Sequence, residues 1–176
     1  MEIDLLAKAR AIKLLILDID GVMSDGRIII TDAADEIKSF FVQDELGIQL
    51  LLENGIEVAV ISGRSSPLVA ARMKQLKISL FYQGQSNKIA AYEELIDKLK
   101  LSREQTAHVG DDLPDIALFN RVGLAISVAN GVPLAKRHAH WVTEASGGAG
   151  AVREVCDLIL NAQDKWKSIE ERFIRE

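Results

Sequence analysis

Short apolar runs recur along the chain, each bounded by polar residues or glycine: Leu14 to Leu17, Val58 to Ile61, Ala107 to Val109 and Leu124 to Ser127. Continuous apolar runs of this length are the pattern of strands buried on both faces of a parallel sheet. Between them the apolar positions take up helical spacing. Such segments are Leu46 to Asn54, stopped by Gly55; Pro67 to Leu76, opened by Ser65 and Ser66; Lys88 to Leu99; and Leu113 to Arg121. Strand and helix alternate, which predicts an α/β fold with a doubly wound, Rossmann-like parallel sheet. One interval breaks the alternation. Arg27 to Thr31 and Ile37 to Val42 flank the polar stretch Asp32 to Glu36, so residues of about 26–43 read as a β-hairpin flap inserted after the first strand. An antiparallel edge pair of the main sheet is the alternative. From Ala151 onward Val152, Val155, Ile159, Ala162, Trp166, Ile169 and Phe173 are spaced three and four apart, which predicts one long C-terminal helix from about residue 150 with a single apolar stripe. Such a helix overruns a small sheet, so the part past Ala162 packs either on its own sheet or on another subunit.

Composition narrows the class. A chain of 176 residues is expected to be one domain spanning 1–176. Apolar residues make up 48% and charged residues 27%, with three prolines, which is a compact globular composition rather than a disordered one. The net charge of −5 argues against a basic grip on nucleic acid or on anionic membrane, leaving small-molecule partners. Cys156 stands alone and forms no internal disulfide, and the N-terminus lacks a signal-peptide pattern, so a cytoplasmic location is expected. No run approaches the ~20 apolar residues that cross a bilayer.

In a doubly wound sheet, ligands sit beyond the carboxyl ends of the strands. Polar residues cluster at those points: Asp18-Ile-Asp20-Gly21, Ser62-Gly63-Arg64, Ser86-Asn-Lys88 and Gly110-Asp111-Asp112-Leu-Pro-Asp115. Converging carboxylates repel one another in a partly buried site unless protons or a cation intervene. A hard cation with oxygen ligands, Mg²⁺, is the natural answer, with Asp18, Asp20 and Asp111 as ligands and Asp112 and Asp115 in support. Ser62, Arg64 and Lys88 add donors and positive charge, and the set forms a socket for a phosphoryl group. Asp18 is the expected carboxylate nucleophile and Asp20 the expected acid and base. Lys88 and Ser62 would hold phosphoryl oxygens, and Gly21 and Gly63 would let the backbone approach closely.

Each part taken alone also fits a blander role. Asp-x-Asp-Gly also opens a calcium loop, but Val22 stands where that loop needs an oxygen ligand. Ser62-Gly-Arg64 alone fits a helix-capping turn, and Lys88 alone a solvated lysine. Cys156 reads as a buried structural thiol, His138 and His140 as surface residues, and His108 as packing. The Gly147-Gly-Ala-Gly150 run does not match a dinucleotide fingerprint and reads as a flexible lead into the last helix.

With these motifs in order, the sequence resembles the haloacid dehalogenase superfamily of aspartate-nucleophile phosphatases over nearly its whole length. The closest likeness is to its minimal-cap branch, which acts on octulosonate and nonulosonate phosphates. The shared wording is Asp20-Gly-Val-Met-Ser-Asp-Gly-Arg27, Ile61-Ser-Gly-Arg64, Tyr82-Gln-Gly-Gln-Ser-Asn-Lys88, Gly110-Asp-Asp-Leu-Pro-Asp115 and Gly150-Ala-Val-Arg-Glu-Val155. The resemblance implies a Mg²⁺-dependent phosphatase of a small phosphorylated sugar acid in lipopolysaccharide precursor synthesis. It also implies a homotetramer in which the flap is the only cap and a neighbour's C-terminal tail nears each site. Arg64 favours an octulosonate over a nonulosonate, and Arg64 and Arg72 can pair with a sugar-acid carboxylate. Asp44 is the one substrate-facing residue kept at the flap exit, where Phe41, Gln43 and Glu45 replace the branch's asparagine, arginine and glycine. Gln49 and Ala149 stand where basic residues are common. Other readings keep the chemistry on a different phosphosugar or nonulosonate, or take the chain as a receiver-like phospho-aspartate module or a silent oligomer component.

Overall fold

The computed structural model describes residues 2–33 and 36–175. Along the chain run α1 (Glu2–Ala11), β1 (Leu14–Leu17), β2 (Ile29–Ile30), β3 (Glu36–Ile37), α2 (Val42–Glu53), β4 (Glu57–Ile61), α3 (Pro67–Gln75) and β5 (Leu80–Tyr82). There follow α4 (Lys88–Leu99), β6 (Thr106–Gly110), α5 (Leu113–Phe119), β7 (Leu124–Ser127), α6 (Pro133–His138), β8 (Trp141–Val142), α7 (Ala151–Ala162) and α8 (Trp166–Arg175). The main sheet is parallel throughout and has the order β5-β4-β1-β6-β7-β8. This is the doubly wound α/β sheet expected from the sequence. No helix among the described residues is long and apolar enough to cross a membrane.

The strands are apolar on both faces because each face has its own helices. Leu15 and Leu17 of β1, with Val58 and Val60 of β4, face the core made by α1, α2, α3 and α7. Leu14 and Ile16, with Ala59 and Ile61, face Tyr92 and Leu95 of α4 and Leu118 and Phe119 of α5. Successive strand side chains point to opposite faces, so one short apolar run serves both layers.

Several boundaries depart from the sequence expectation. The hairpin forms a separate two-stranded sheet, so the edge-pair alternative does not hold. It is shorter than expected: among the described residues its strand pairing is Ile29 with Ile37 and Ile30 with Glu36. Ala34 and Asp35, in the expected turn, lie outside the described residues. Beyond Ile37 the chain turns inward, makes one bridge between Ser24 and Phe40, and enters α2 at Val42, four residues before the expected start. The strands β5 and β8 and the helices α1 and α6 are short or weakly patterned and were not anticipated.

The predicted single tail helix is two. Asp164 adopts left-handed backbone at φ 58°, its N–H bonds Asn161 O at 3.0 Å, and the Lys165 N–H bonds Leu160 O at 2.9 Å. That pair of bonds is a Schellman closure, which satisfies the last carbonyls of α7 and ends it. The apolar spacing continues across the break: Trp166 and Ile169 still reach the core, while Phe173 and Ile174 are 51% and 75% exposed.

The glycine run is not a flexible lead. A side chain at Gly147 would put its Cβ 1.7 Å from the Gly21 carbonyl oxygen. The Gly147 N–H bonds Asn130 Oδ1 at 2.9 Å and the Gly148 N–H bonds Val22 O at 2.9 Å. The run is a packed brace against the turn that carries Asp20.

Candidate active site

The ends of β1, β4 and β6 and the starts of α4 and α5 line a cleft of about 200 Å³. Asp18, Asp20, Ser62, Gly63, Arg64, Lys88, Asp111, Asp112, Pro114 and Asp115 form its walls. A larger hollow of about 440 Å³ lies where strands begin, beside Lys8, Arg103 and His140. Lys8 and Arg103 there donate to backbone carbonyls of Gly123, Asn120 and Arg121.

Lys88 opens α4 and is buried, with Nζ 3.1 Å from Asp18 Oδ1 and 2.7 Å from Asp115 Oδ1. Burial works to lower its pKa, and Asp18 and Asp115 outweigh that, leaving it raised and the ammonium charged. Burial raises the pKa of Asp18, with Lys88 opposing and Asp115 adding to the rise. Asp115 is the keystone. Its Oδ1 takes Lys88 and His108, and its Oδ2 accepts the Asp111 and Asp112 N–H groups at 3.0 and 3.3 Å. Burial opposes its ionisation, but His108 and Lys88 hold the carboxyl well below the usual range.

Oxygens of Asp18, Asp111 and Asp115 lie within 4.8 Å of one another. The pKa of Asp111 is pushed up to about 7 by burial, then by Asp115, Asp18 and Asp112. Crowded, desolvated carboxylates of this kind suit a small hard cation, which relieves the repulsion. Both oxygens of Asp115 are engaged by protein groups, so the oxygens of Asp18 and Asp111 are the better placed ligands, and Asp115 stands behind them as support. The Asp20 side chain is not among the three and faces the other wall. Asp112 caps α5, its Oδ1 accepting the Leu113 N–H at 2.7 Å. Gly21 has φ +91°, and a Cβ there would lie 2.1 Å from Asp111 Oδ2, so only glycine fits. Gly63 is different: a Cβ would meet nothing nearer than 3.8 Å, so its smallness is not required by the chain itself. Ser62 is buried, and its Oγ accepts the Arg64 N–H at 3.3 Å, which leaves its own hydrogen to donate into the cleft.

Two expected substrate contacts are not in this cleft. Asp44 is 2% exposed and accepts the Arg153 N–H at 2.7 Å, satisfying the first turn of α7. Arg72 is held by Glu45, with Nε 2.8 Å from Oε1, and by Gln75 at 2.7 Å. Glu45 therefore faces Arg72 rather than the cleft.

Two residues beside these motifs were missed. His108 does more than pack: its Nε2 lies 3.0 Å from Asp115 Oδ1 and its Nδ1 3.2 Å from Ile16 O. A lone histidine within an otherwise apolar buried strand needs polar partners, and that was its signal. Lys38 reaches from the flap to Asp20, and nothing in its exposed-looking sequence neighbourhood announces it. Cys156 is buried as expected, and its thiol is pushed up by burial. His138 is exposed; His140 is exposed too, yet its Nδ1 accepts the Ala125 N–H at 2.9 Å.

The parallel sheet with acidic residues after β1 and β6 defines a class, the haloacid dehalogenase-like hydrolases, and the model of that family matches residues 80–155. The 3-deoxy-D-manno-octulosonate 8-phosphate phosphatase of Escherichia coli is 50% identical over 92% of this chain and 86% of its own length. The crystal structure of the Yersinia pestis phosphatase of that name superposes with a TM-score of 0.92 at 49% identity, covering 93% of this chain and 89% of that one. The Moraxella catarrhalis phosphatase, solved with a magnesium ion, a phosphate ion and a KDO molecule, gives 0.94 at 44% identity, covering 97% and 98%. The chain belongs to the family of 3-deoxy-D-manno-octulosonate 8-phosphate phosphatases.

Proposed function

We propose that this chain hydrolyses 3-deoxy-D-manno-octulosonate 8-phosphate to the free sugar acid and phosphate, as a cytoplasmic enzyme of lipopolysaccharide precursor synthesis. The observation that carries the reading is Lys88 held 3.1 Å from Asp18 in a cleft shared with Ser62 and Asp111, in a chain 50% identical to the Escherichia coli enzyme. Asp18 attacks phosphorus, and the bond to the sugar oxygen breaks as an aspartyl-phosphate forms. Asp20 gives its proton to the departing oxygen, then takes one from the water that releases phosphate and restores Asp18. Lys88 and the Ser62 hydroxyl hold the phosphoryl oxygens, and Arg64 is placed for the sugar's carboxylate. Asp18, Asp111 and the Asp20 main chain would hold Mg²⁺, which when bound offsets the negative charge gathered around the phosphoryl group.

The test is Mg²⁺-dependent phosphate release across a panel of phosphorylated sugar acids. The highest kcat/KM is expected on the octulosonate phosphate, with loss of turnover in EDTA. The tie between Glu45 and Arg72 favours a second reading, another phosphorylated sugar or nonulosonate, and a preference for one of those transfers the assignment. A stable phospho-aspartate without turnover would overturn both.

Residues 1–176 read as a single phosphatase domain with the flap as its only cap. A homotetramer with the C-terminal tail near a neighbouring site accounts for exposed Ile29 and Ile30 on the flap and Phe173 and Ile174 on α8. Removing residues after Ala162 is expected to reduce the assembled mass and the turnover together; an unchanged mass refutes the tail's part in assembly.

A further inference from the structure

The flap meets the cleft through a closed ring of alternating charges. Lys38 Nζ pairs with Asp20 Oδ1 and lies 2.9 Å from Glu36 Oε1. Arg64 Nη2 is 3.4 Å from Glu36 Oε2, and Arg64 Nε is 3.8 Å from Asp20 Oδ2. Glu36 and Lys38 belong to the flap, Asp20 and Arg64 to the loops after β1 and β4. Two of the four pairs therefore cross from flap to core.

The members differ in how firmly they are held. The Lys38 side chain is 1% exposed, whereas that of Arg64 is 51% exposed. An ammonium taken out of water is costly unless oxygen partners surround it. Burial works to lower the Lys38 pKa, and the two carboxylates more than offset it, so the charge is kept. A buried cation on one oxygen of Asp20 and an exposed one near the other fix the plane of that carboxylate. Nothing else among the hydrogen bonds and ion pairs of the described residues holds the Asp20 side chain.

We propose that Lys38 is a positioning residue for Asp20: the flap's buried ammonium, paired to Asp20 and Glu36, aims the Asp20 carboxylate at the leaving-group oxygen. The inference rests on the phosphatase reading above, in which Asp20 exchanges protons with the reacting atoms. An aim set from the flap makes cap and catalysis one unit, because displacing the hairpin also releases Asp20. A small error in the placement of a proton-transfer group costs rate far more than binding.

The test is a double-mutant cycle on the full chain, with Mg²⁺ present, using the octulosonate phosphate and the carboxylate-free ester p-nitrophenyl phosphate. Lys38→Met is expected to lower kcat about ten-fold or more on both substrates with KM changed less than about three-fold, and Lys38→Arg to recover much of the loss. In an Asp20→Asn background, Lys38→Met should cost less than about two-fold, since its effect has no carboxylate to act through. Equal costs in both backgrounds, or a rise in KM with kcat preserved, would overturn the proposal and make Lys38 a substrate contact or a flap anchor. If Lys38→Met does not fold, Lys38→Gln carries the cycle. Absence of phosphatase turnover in the parent protein defeats the functional reading instead, so the two failures are distinguishable.

Discussion

The two walls of the cleft are built by different physics. The core wall, with Asp18, Lys88, His108, Asp111 and Asp115, sits on strand ends and helix starts of a six-stranded sheet, and its polar groups bond one another around the buried Lys88, His108 and Asp115. The flap wall, with Glu36 and Lys38, hangs on strands of two residues whose isoleucines are exposed, and among the described residues it is tied to the core by ion pairs and, at its exit, by the Ser24–Phe40 bridge. Hydrophobic packing places the first wall before any charge is considered, whereas charge itself places the second. A buried pair, Lys38 with Asp20 included, fails by leaving unpaired charge behind, while the half-exposed Arg64 arm of the clasp is weakened by screening.

The sharpest break of this contrast lies at the nucleophile. Asp18→Asn keeps the size of a side chain paired with Lys88, so the fold and the flap contacts should persist while turnover falls by roughly 10³-fold or more. Rate assays with Mg²⁺ beside thermal unfolding check it, and substantial residual turnover would remove Asp18 from its role. Asp115→Asn comes next and strikes the network rather than the chemistry. It leaves Lys88 and His108 facing an amide and weakens the carboxylate that gathers the Asp111 and Asp112 N–H groups. Breaking a buried charge pair costs about 3–5 kcal/mol, so both activity and Tm should drop together. An Asp115→Asn protein of unchanged Tm would mean that the core wall is not held by this carboxylate.

The same contrast explains what could be read from sequence. Asp18, Ser62 and Asp111 follow apolar runs directly, so recognising the strands located them, and Lys88 follows from the helix start that Asn87 caps. Arg72, Asp44 and Lys38 could not be located in that way, because their neighbours come from elements far off in sequence. Arg72 is claimed by Glu45, Asp44 by the first turn of α7, and Lys38 by Asp20. The tail break was equally hidden: an apolar stripe spaced three and four apart is preserved across Asp164, so periodicity alone could not register the left-handed residue. Composition set the class but no distances.

Asp44 offers a smaller, pH-dependent test of how the flap's exit is rooted. Its pKa is raised to about 6 by burial, against the pull of the Arg153 and Gly150 backbone N–H groups, and its Oδ2 is buried without a partner. A carboxyl whose folded value lies above its unfolded value of 3.8 favours the fold most below that value. The contribution fades as pH rises through the window to about 6. Measured as the stability of Asp44→Asn minus that of the parent, the difference should rise by on the order of 2 to 3 kcal/mol between pH 4 and pH 7. The amide keeps an acceptor for the Arg153 N–H and has no charge to desolvate. A difference that stays flat with pH would place Asp44 in contact with solvent and detach this root from the core.

The smallest effect belongs to the second root, Glu45 with Arg72, where α2 meets α3. The guanidinium is about a third exposed at 32% and the carboxylate only 11%, so the pair stands between a surface ion pair and a buried one. Exposed pairs yield roughly 0.2–1 kcal/mol, and the two-pronged contact here should lie near the top of that range. A cycle of Glu45→Ala and Arg72→Ala measured by urea unfolding should return a coupling of about 1 kcal/mol that shrinks in molar salt. Coupling that resists salt would mean the flap's root is sheltered like the core wall, and the division between packed and charge-held walls would have to be redrawn at α2. Coupling near zero would leave Asp44 as the root that matters. It would also leave Arg72 free to turn toward an anionic ligand, reopening its assignment as a contact for the sugar's carboxylate.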